Sequence, residues 1–367
     1  MKSKALVIAL LACAPGYSAG VQEKAPYRLA LPGYKYEFPR DHFSHSDYRT
    51  EWWYYTGNLR SSEGKRFGFE LTFFRHAVEP KLPAGAGVWD VRDVWMAHLA
   101  LSDIDGGRFF NTERMNRSGP GLAGVDAARG LVWNGNWSAQ WTSPDDQQLK
   151  GIGENFQFNL KLHSAKAPAI HGINGVSQKS AGEGRASQYV SLTRLQTKGT
   201  VTLEGKEYAV EGASWMDHEF FSHSLESNVT GWDWFSLQFD DGSELMLYRL
   251  RRKDGSTEPY SSGTYIDAGG QTRHLKLADY TLQPGKIWSS PRTKAAYPIE
   301  WTVSVPTLNI SCRISTRLPQ QELAGKHGTS PSYWEGAIEI DGTKSGAPLK
   351  GRGYLEMTGY AGPVRLD

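Results

Sequence analysis

Apolar and polar residues alternate along much of this chain. Residues 156–162 place Phe156, Phe158, Leu160 and Leu162 on one side and polar residues on the other, the period of a half-buried strand. Residues 54–59 and 67–73 alternate on either side of Ser61-Ser62-Glu63-Gly64, which reads as a hairpin. Residues 235–239 and 244–248 do the same around Asp240-Asp241-Gly242, and 302–305, 309–314 and 337–340 continue the theme. Almost nowhere does an apolar helical period persist over three turns, so an all-β fold with few short helices is expected. Residues 164–187, rich in Gly, Ser, Ala and Lys, read as a long loop, part of a lid or edge insertion.

These elements form a weak internal repeat. Glu51-Trp52-Trp53-Tyr54-Tyr55-Thr56-Gly57-Asn58-Leu59, a turn and a strand ending in Arg75 open the first copy. Gly231-Trp232-Asp233-Trp234-Phe235-Ser236-Leu237-Gln238-Phe239, an Asp-Gly turn and a strand ending in Arg249 open the second. At the closing ends, Trp215-Met216-Asp217 parallels Tyr354-Leu355-Glu356. Two similar barrels or sandwiches follow. A length of 367 residues, at about 150 per domain, agrees. The expected boundaries are 38–222 and 223–367, after an N-terminal signal over 1–20 and a linker over 21–37. The repeat sets Glu356 at the place of Asp217, with one acid expected to face a cleft between the halves and the other to serve structure.

Composition sharpens this. Trp 13, Tyr 17 and Phe 14, together with Gly 40 and Pro 18, favour short strands and turns over disorder or coiled coil. Lys+Arg 41 against Asp+Glu 39 leaves a net charge of +2, which offers no footprint for nucleic acid. The chain opens MKSKALVIALLACAPGYSAG. Its apolar run is too short to span a bilayer, so it reads as an export signal. Leu10-Leu11-Ala12-Cys13 resembles a lipobox that would lipidate Cys13, and Ser18-Ala19-Gly20 suits ordinary signal peptidase. The expected location is therefore the periplasm, as a soluble or Cys13-anchored protein, or the exterior. Membrane contact is expected only through that lipid anchor. Cys312 is then left without an intrachain disulfide partner.

Three clusters could carry chemistry. They are residues 41–55, with His42, His45, Trp52, Trp53 and Tyr54; residues 215–223, with Asp217, His218 and Glu219; and Trp232-Asp233-Trp234. Acids and imidazoles among large apolar rings are where desolvation shifts pKa most. His98 and His163, isolated in strand-like runs, read as structural. His42-x-x-His45 has metal-binding atoms, but neither HExxH, CxxC nor a calcium loop is present, so no metal and no cofactor is expected. A Gly-x-Ser-x-Gly elbow and a phosphate loop are also missing. A desolvated carboxylic acid can keep and donate its proton, and Trp and Tyr faces stabilise cations. Those parts suit protonation of a carbon–carbon double bond followed by capture of water. They equally suit binding of a greasy ligand, or a barrel core with paired charges.

At these clusters, and at Tyr333-Trp334-Glu335-Gly336 and Gly351-Arg352-Gly353-Tyr354 through Tyr360, the chain resembles the carotenoid 1,2-hydratase superfamily. Within it, the AttH-like branch of "predicted secreted hydrolases" is the nearest. The resemblance implies two tandem lipocalin-like antiparallel β-barrels. It further implies a hydrophobic isoprenoid or lipid-like ligand and acid-catalysed hydration of a C=C bond. The alternatives are a ligand-binding module of an envelope ABC export system, which would make that ABC transporter a partner, and a hydrolase. On the hydratase reading Asp217 is the acid and His218 or Glu219 positions or activates water. Trp52, Trp53, Tyr54, Trp232, Asp233, Trp234, His42 and His45 then line the substrate site. Arg75 and Arg249, at matching strand ends, are expected to close the barrels rather than react.

Overall fold

The structure, a computed structural model, describes residues 27–82, 84–223, 225–325 and 332–364. The expected export signal over 1–20 lies outside them. Among the described residues, helical structure is confined to three-residue 3-10 segments such as Arg40–His42 and Pro306–Leu308. Everything else that is regular is antiparallel β-sheet.

The first sheet runs, edge to edge, through strands Arg108–Arg117, Asp93–Asp103, Arg66–Ala77, Thr50–Ser61, Lys206–Phe221, Ala186–Leu203, Phe156–Ser164, Asp146–Ile152, Trp137–Trp141, Leu131–Asn134 and Ala123–Asp126. Its two edge strands, Arg108–Arg117 and Ala123–Asp126, follow one another in sequence, so the sheet must curl until its edges meet. A Ser118–Ala123 bridge and the Asn116 Nδ2 to Asn134 Oδ1 hydrogen bond, 2.6 Å, fasten that seam. The second sheet runs through Thr272–Lys276, Ser262–Ile266, Glu244–Arg252, Val229–Phe239, Ala347–Met357, Tyr333–Lys344, Ile310–Ser315, Glu300–Val305 and Thr281–Pro284. Its edge strands are likewise consecutive, joined through Leu277–Asp279, and it curls the same way. The result is two lipocalin-like barrels in tandem.

Both interiors are filled with side chains. Phe69, Leu99, Phe158 and Leu160 pack inside the first, and Phe235, Trp301, Val303 and Leu355 inside the second. Cys312 is a buried thiol in the second core. The strand Phe156–Ser164 alternates buried and exposed because one face meets water, whereas Thr50–Ser61 is buried on both faces because the second barrel lies against it. That contact combines a buried aromatic cluster, with Tyr54 and Trp215 against Trp234, with polar bonds. Asn58 Nδ2 donates to the Gly353 carbonyl at 3.0 Å, Gln238 Nε2 to the Thr193 carbonyl at 2.7 Å, and Lys166 Nζ lies 2.6 Å from Glu244.

Residues 27–37 are not a free linker. Ala30, Tyr34 and Tyr36 pack on Tyr48, Val176 and Phe220 of the first barrel. Within 164–187, Ala169–Ile170 and Ser177–Gln178 pair with Ala186–Leu203, adding short edge strands to the expected loop.

Candidate active site between the barrels

Neighbouring strand residues point to opposite faces, and this sorts the candidate residues. Trp52, Tyr54, Asp217, Glu219, Trp232 and Trp234 share the outer faces and line one cavity of about 450 Å³ between the barrels. Their immediate neighbours point away from it. His218 is inside the first barrel, with Nε2 2.9 Å from Glu51 and its ring stacked on Trp53, so it cannot position water beside Asp217. Trp53 stacks on Trp95 in the same interior. Asp233 is turned into the second barrel, where Arg249 at 2.7 Å, Arg251 and Tyr360 hold it. His42 stacks on Trp141 and His45 on Phe220, with ring centroids 5.4 and 3.6 Å apart. Trp53, His218 and Asp233 are corrected from site to scaffold by the pleat, and His42 and His45, which precede the first strand, by their packing on Trp141 and Phe220.

The interior polar cluster is closed on itself. His45, Glu51 and His218 bring one ligand atom each within 4.8 Å, a geometry a metal could use. However, His45 donates Nδ1 to Glu51 at 2.8 Å and Nε2 to Asp41 at 3.1 Å. Burial alone would lower its pKa, but these two carboxylates outweigh it and raise it, favouring the protonated ring, a form with no lone pair for a metal. Arg75 Nε reaches the other oxygen of Glu51 at 3.1 Å, and its Nη1 reaches Asp93 at 3.0 Å.

The cavity has the opposite character. Asp217, level with Tyr54 and Ser191 in the sheet, accepts hydrogen bonds from Tyr189 Oη at 2.5 Å, Trp215 Nε1 at 2.6 Å and Ser191 Oγ. All three donors are neutral, and Asp217 forms no ion pair among the described residues. Burial therefore dominates and pushes its carboxyl up to about 7. Trp234 Nε1 donates to Tyr189 Oη at 2.9 Å and so fixes the phenol. Beyond Ser191, His171 Nε2 at 2.6 Å and Thr264 on its Nδ1 at 2.8 Å extend the chain into the second barrel. Glu219 differs: Lys179 Nζ lies 3.0 Å from it and 4.1 Å from the centre of the Tyr248 ring. Lys179 belongs to the loop over 164–187, which thus supplies part of the cavity wall.

Glu356 also faces the cavity, so both repeat-related acids do, and neither is confined to structure. It accepts from Trp232 Nε1 at 2.9 Å, and burial pushes it up to about 8. Sequence reasoning missed Glu70, Lys179, Tyr189 and Glu335 as site residues and read His98 as structural, although all five line the cavity. The available signal for Glu70 was a lone acid within Phe67-Gly68-Phe69-Glu70-Leu71-Thr72-Phe73.

Residues 29–360 match the AttH-like family. An AttH structure from Nitrosomonas europaea is 34% identical, with a TM-score of 0.79 over 92% of this chain and 99% of that one. Kievitone hydratase from Nectria haematococca shares the fold at 15% identity, with a TM-score of 0.70 over 92% of this chain and 99% of that one. The dehydratase asqC of Emericella nidulans is 25% identical over 247 residues, 64% of this chain and 66% of that protein. With a family match spanning nearly all the described residues and the paired barrels to go with it, the chain belongs to the AttH-like family of the carotenoid hydratase superfamily.

Proposed function

We propose that this protein is a hydratase or dehydratase for an apolar, unsaturated ligand held between the barrels, with Asp217 as the proton donor. One observation carries the reading: Asp217 is a fully buried carboxyl with three neutral donors and no cationic partner among the described residues. Burial keeps it protonated near neutrality, and the same three donors receive the negative charge once the proton leaves. The proton goes to one alkene carbon, and positive charge develops on its neighbour. The faces of Trp52, Tyr54, Trp232 and Trp234 surround that charge. Water adds to the cation and gives up a proton, and dehydration is the reverse. A cavity of about 450 Å³ is of the size that takes a small organic ligand. Family relatives named as a hydratase and a dehydratase support this chemistry. An export signal, as expected over residues 1–20, would place the protein in the cell envelope.

Native mass spectrometry of the purified protein identifies any co-purified lipophilic ligand. Incubation of that ligand in heavy-oxygen water then tests the reaction. Incorporation of the label by the parent, lost in Asp217→Asn, is expected. A ligand that binds unchanged, without label, would leave a binding module in place of an enzyme.

A further inference from the structure

Next to Asp217, across Tyr54, the cavity holds a second group of polar atoms. Glu70 lies on the strand to the other side of Tyr54, paired with Thr56, and Glu335 comes from the second barrel. Glu70 Oε1 accepts from Thr72 Oγ1 at 3.0 Å and from Tyr333 Oη at 3.1 Å, while Glu335 Oε1 accepts from Tyr54 Oη. The other oxygen of each carboxyl, Oε2, is buried without a hydrogen-bond partner. His98 completes the group. Its Nδ1 is 2.6 Å from Tyr333 Oη, and its Nε2 is also buried and unpartnered. Glu70, Glu335 and His98 are 0%, 1% and 3% exposed, and all three line the cavity.

The hydrogen-bond directions fix what is missing. Tyr333 has one hydroxyl hydrogen, and it goes to Glu70. His98 must then donate from Nδ1 to the phenol oxygen, which leaves Nε2 as a bare acceptor. Burial lowers the pKa of His98 to about 4, so the ring stays neutral and the lone pair stays available. On the acid side no cation approaches Glu70 or Glu335 among the described residues, and Glu356 stands directly across the sheet from Glu335. Burial raises Glu70 to about 7 and raises Glu335 strongly, with Glu70 and Glu356 adding to the latter. The group therefore offers an acceptor at His98 and a proton-bearing carboxyl nearby. Unsatisfied buried polar atoms of this density call for a partner. A partner that both donates and accepts is an O–H group.

We propose that Glu70, Glu335 and His98 form an oxygen subsite that holds the water added to the ligand, or the ligand hydroxyl that is lost. This rests on the reading of the cavity as a hydratase site. In hydration, Asp217 gives its proton to carbon. The water held here forms the new C–O bond and passes one proton to the carboxylate of the Glu70–Glu335 pair. The overall change adds H₂O across the double bond, and a proton returned from the pair to Asp217 through solvent completes the cycle.

Two measurements test the subsite. A crystal structure of the ligand-free protein should show an ordered water within hydrogen-bonding distance of His98 Nε2 and of Glu70 or Glu335 Oε2. Tryptophan-fluorescence titrations should give farnesol roughly tenfold tighter binding than farnesene, the size of one hydrogen bond. His98→Phe and Glu335→Leu should each remove that preference, read as the ratio of the two affinities within each variant. A dry subsite, equal affinities in the parent, or a preference that survives both substitutions would overturn the proposal. If the water is present but neither probe binds, the oxygen subsite stands and the apolar-ligand reading fails.

Discussion

Asp217 and Glu356 occupy the same position in the two barrels: Asp217 stands across the sheet from Tyr54, and Glu356 stands across from Trp234. Both carboxyls enter the same cavity from opposite walls. They differ in how their charge would be received. Asp217 has three donors, and Glu356 has the indole of Trp232.

That difference makes Asp217 the better acid. Asp217→Asn should lower turnover of the identified ligand by roughly 10²–10⁴-fold, the usual worth of general acid catalysis, with little change in affinity. In the parent, turnover should fall as pH rises past about 7, because the proton to be donated is then gone. A pH–rate profile that is flat through this range, or an active Asn variant, removes Asp217 from the reaction.

For Glu356 the readout is stability. Its folded pKa is raised above the unfolded value, so its contribution is fully present below the unfolded value of 4.5 and is lost as pH rises through about 8. Glu356→Gln removes a buried charge that exists only at high pH. The variant should melt like the parent below 4.5 and above the parent beyond 8, by an amount on the order of a few kcal/mol at most. Identical melting at both ends would show that Glu356 is not desolvated.

Arg75 should matter more than any surface cation. Arg75→Met takes the guanidinium from Glu51, which keeps His45 and His218, and leaves Asp93 without that ion pair in the first barrel, at a cost of about 3–5 kcal/mol. Arg28→Met breaks a pair in which both side chains are more than half exposed, and its effect should stay within about 1 kcal/mol. Urea unfolding of the two variants makes the comparison, and equal midpoints would contradict it.

Gly57 marks a place where the first barrel has no room. A Cβ there would lie 2.4 Å from the Phe69 ring and 2.5 Å from Ser214 Oγ. Gly57→Ala should therefore destabilise by about 1–3 kcal/mol through overpacking, measured by thermal melting. Gly346→Ala would place its Cβ in open space, so any loss there reports only the left-handed φ of 81°.

How much of this could be read from the chain depended on what covers each strand face. Phe156–Ser164 was legible because its outer face meets water, and the polar half of its pattern is polar for that reason. Asp93–Asp103 and the first half of Ala186–Leu203 were not, because they are buried on both faces and lose the alternation. Periodicity correctly puts Glu70 on the outer face of its strand, but it cannot show that a second barrel covers that face. The repeat aligned Asp217 with Glu356, and the register bears that alignment out. The pleat itself could have separated Asp217 and Glu219 from His218, since adjacent strand residues never share a face. Lys179, Tyr189 and Glu335 reach the cavity from distant segments, a convergence that belongs to the tertiary fold and not to any local pattern.

Because the cavity is walled by the outsides of the barrels, the side chains that would choose a ligand are not the ones that hold each barrel together. The two cores can stay fixed while the facing surfaces change, one side chain at a time. Such an arrangement separates the inheritance of the fold from the drift of its chemistry. It also ties that chemistry to having both halves: either barrel alone would carry one wall, and a wall encloses nothing.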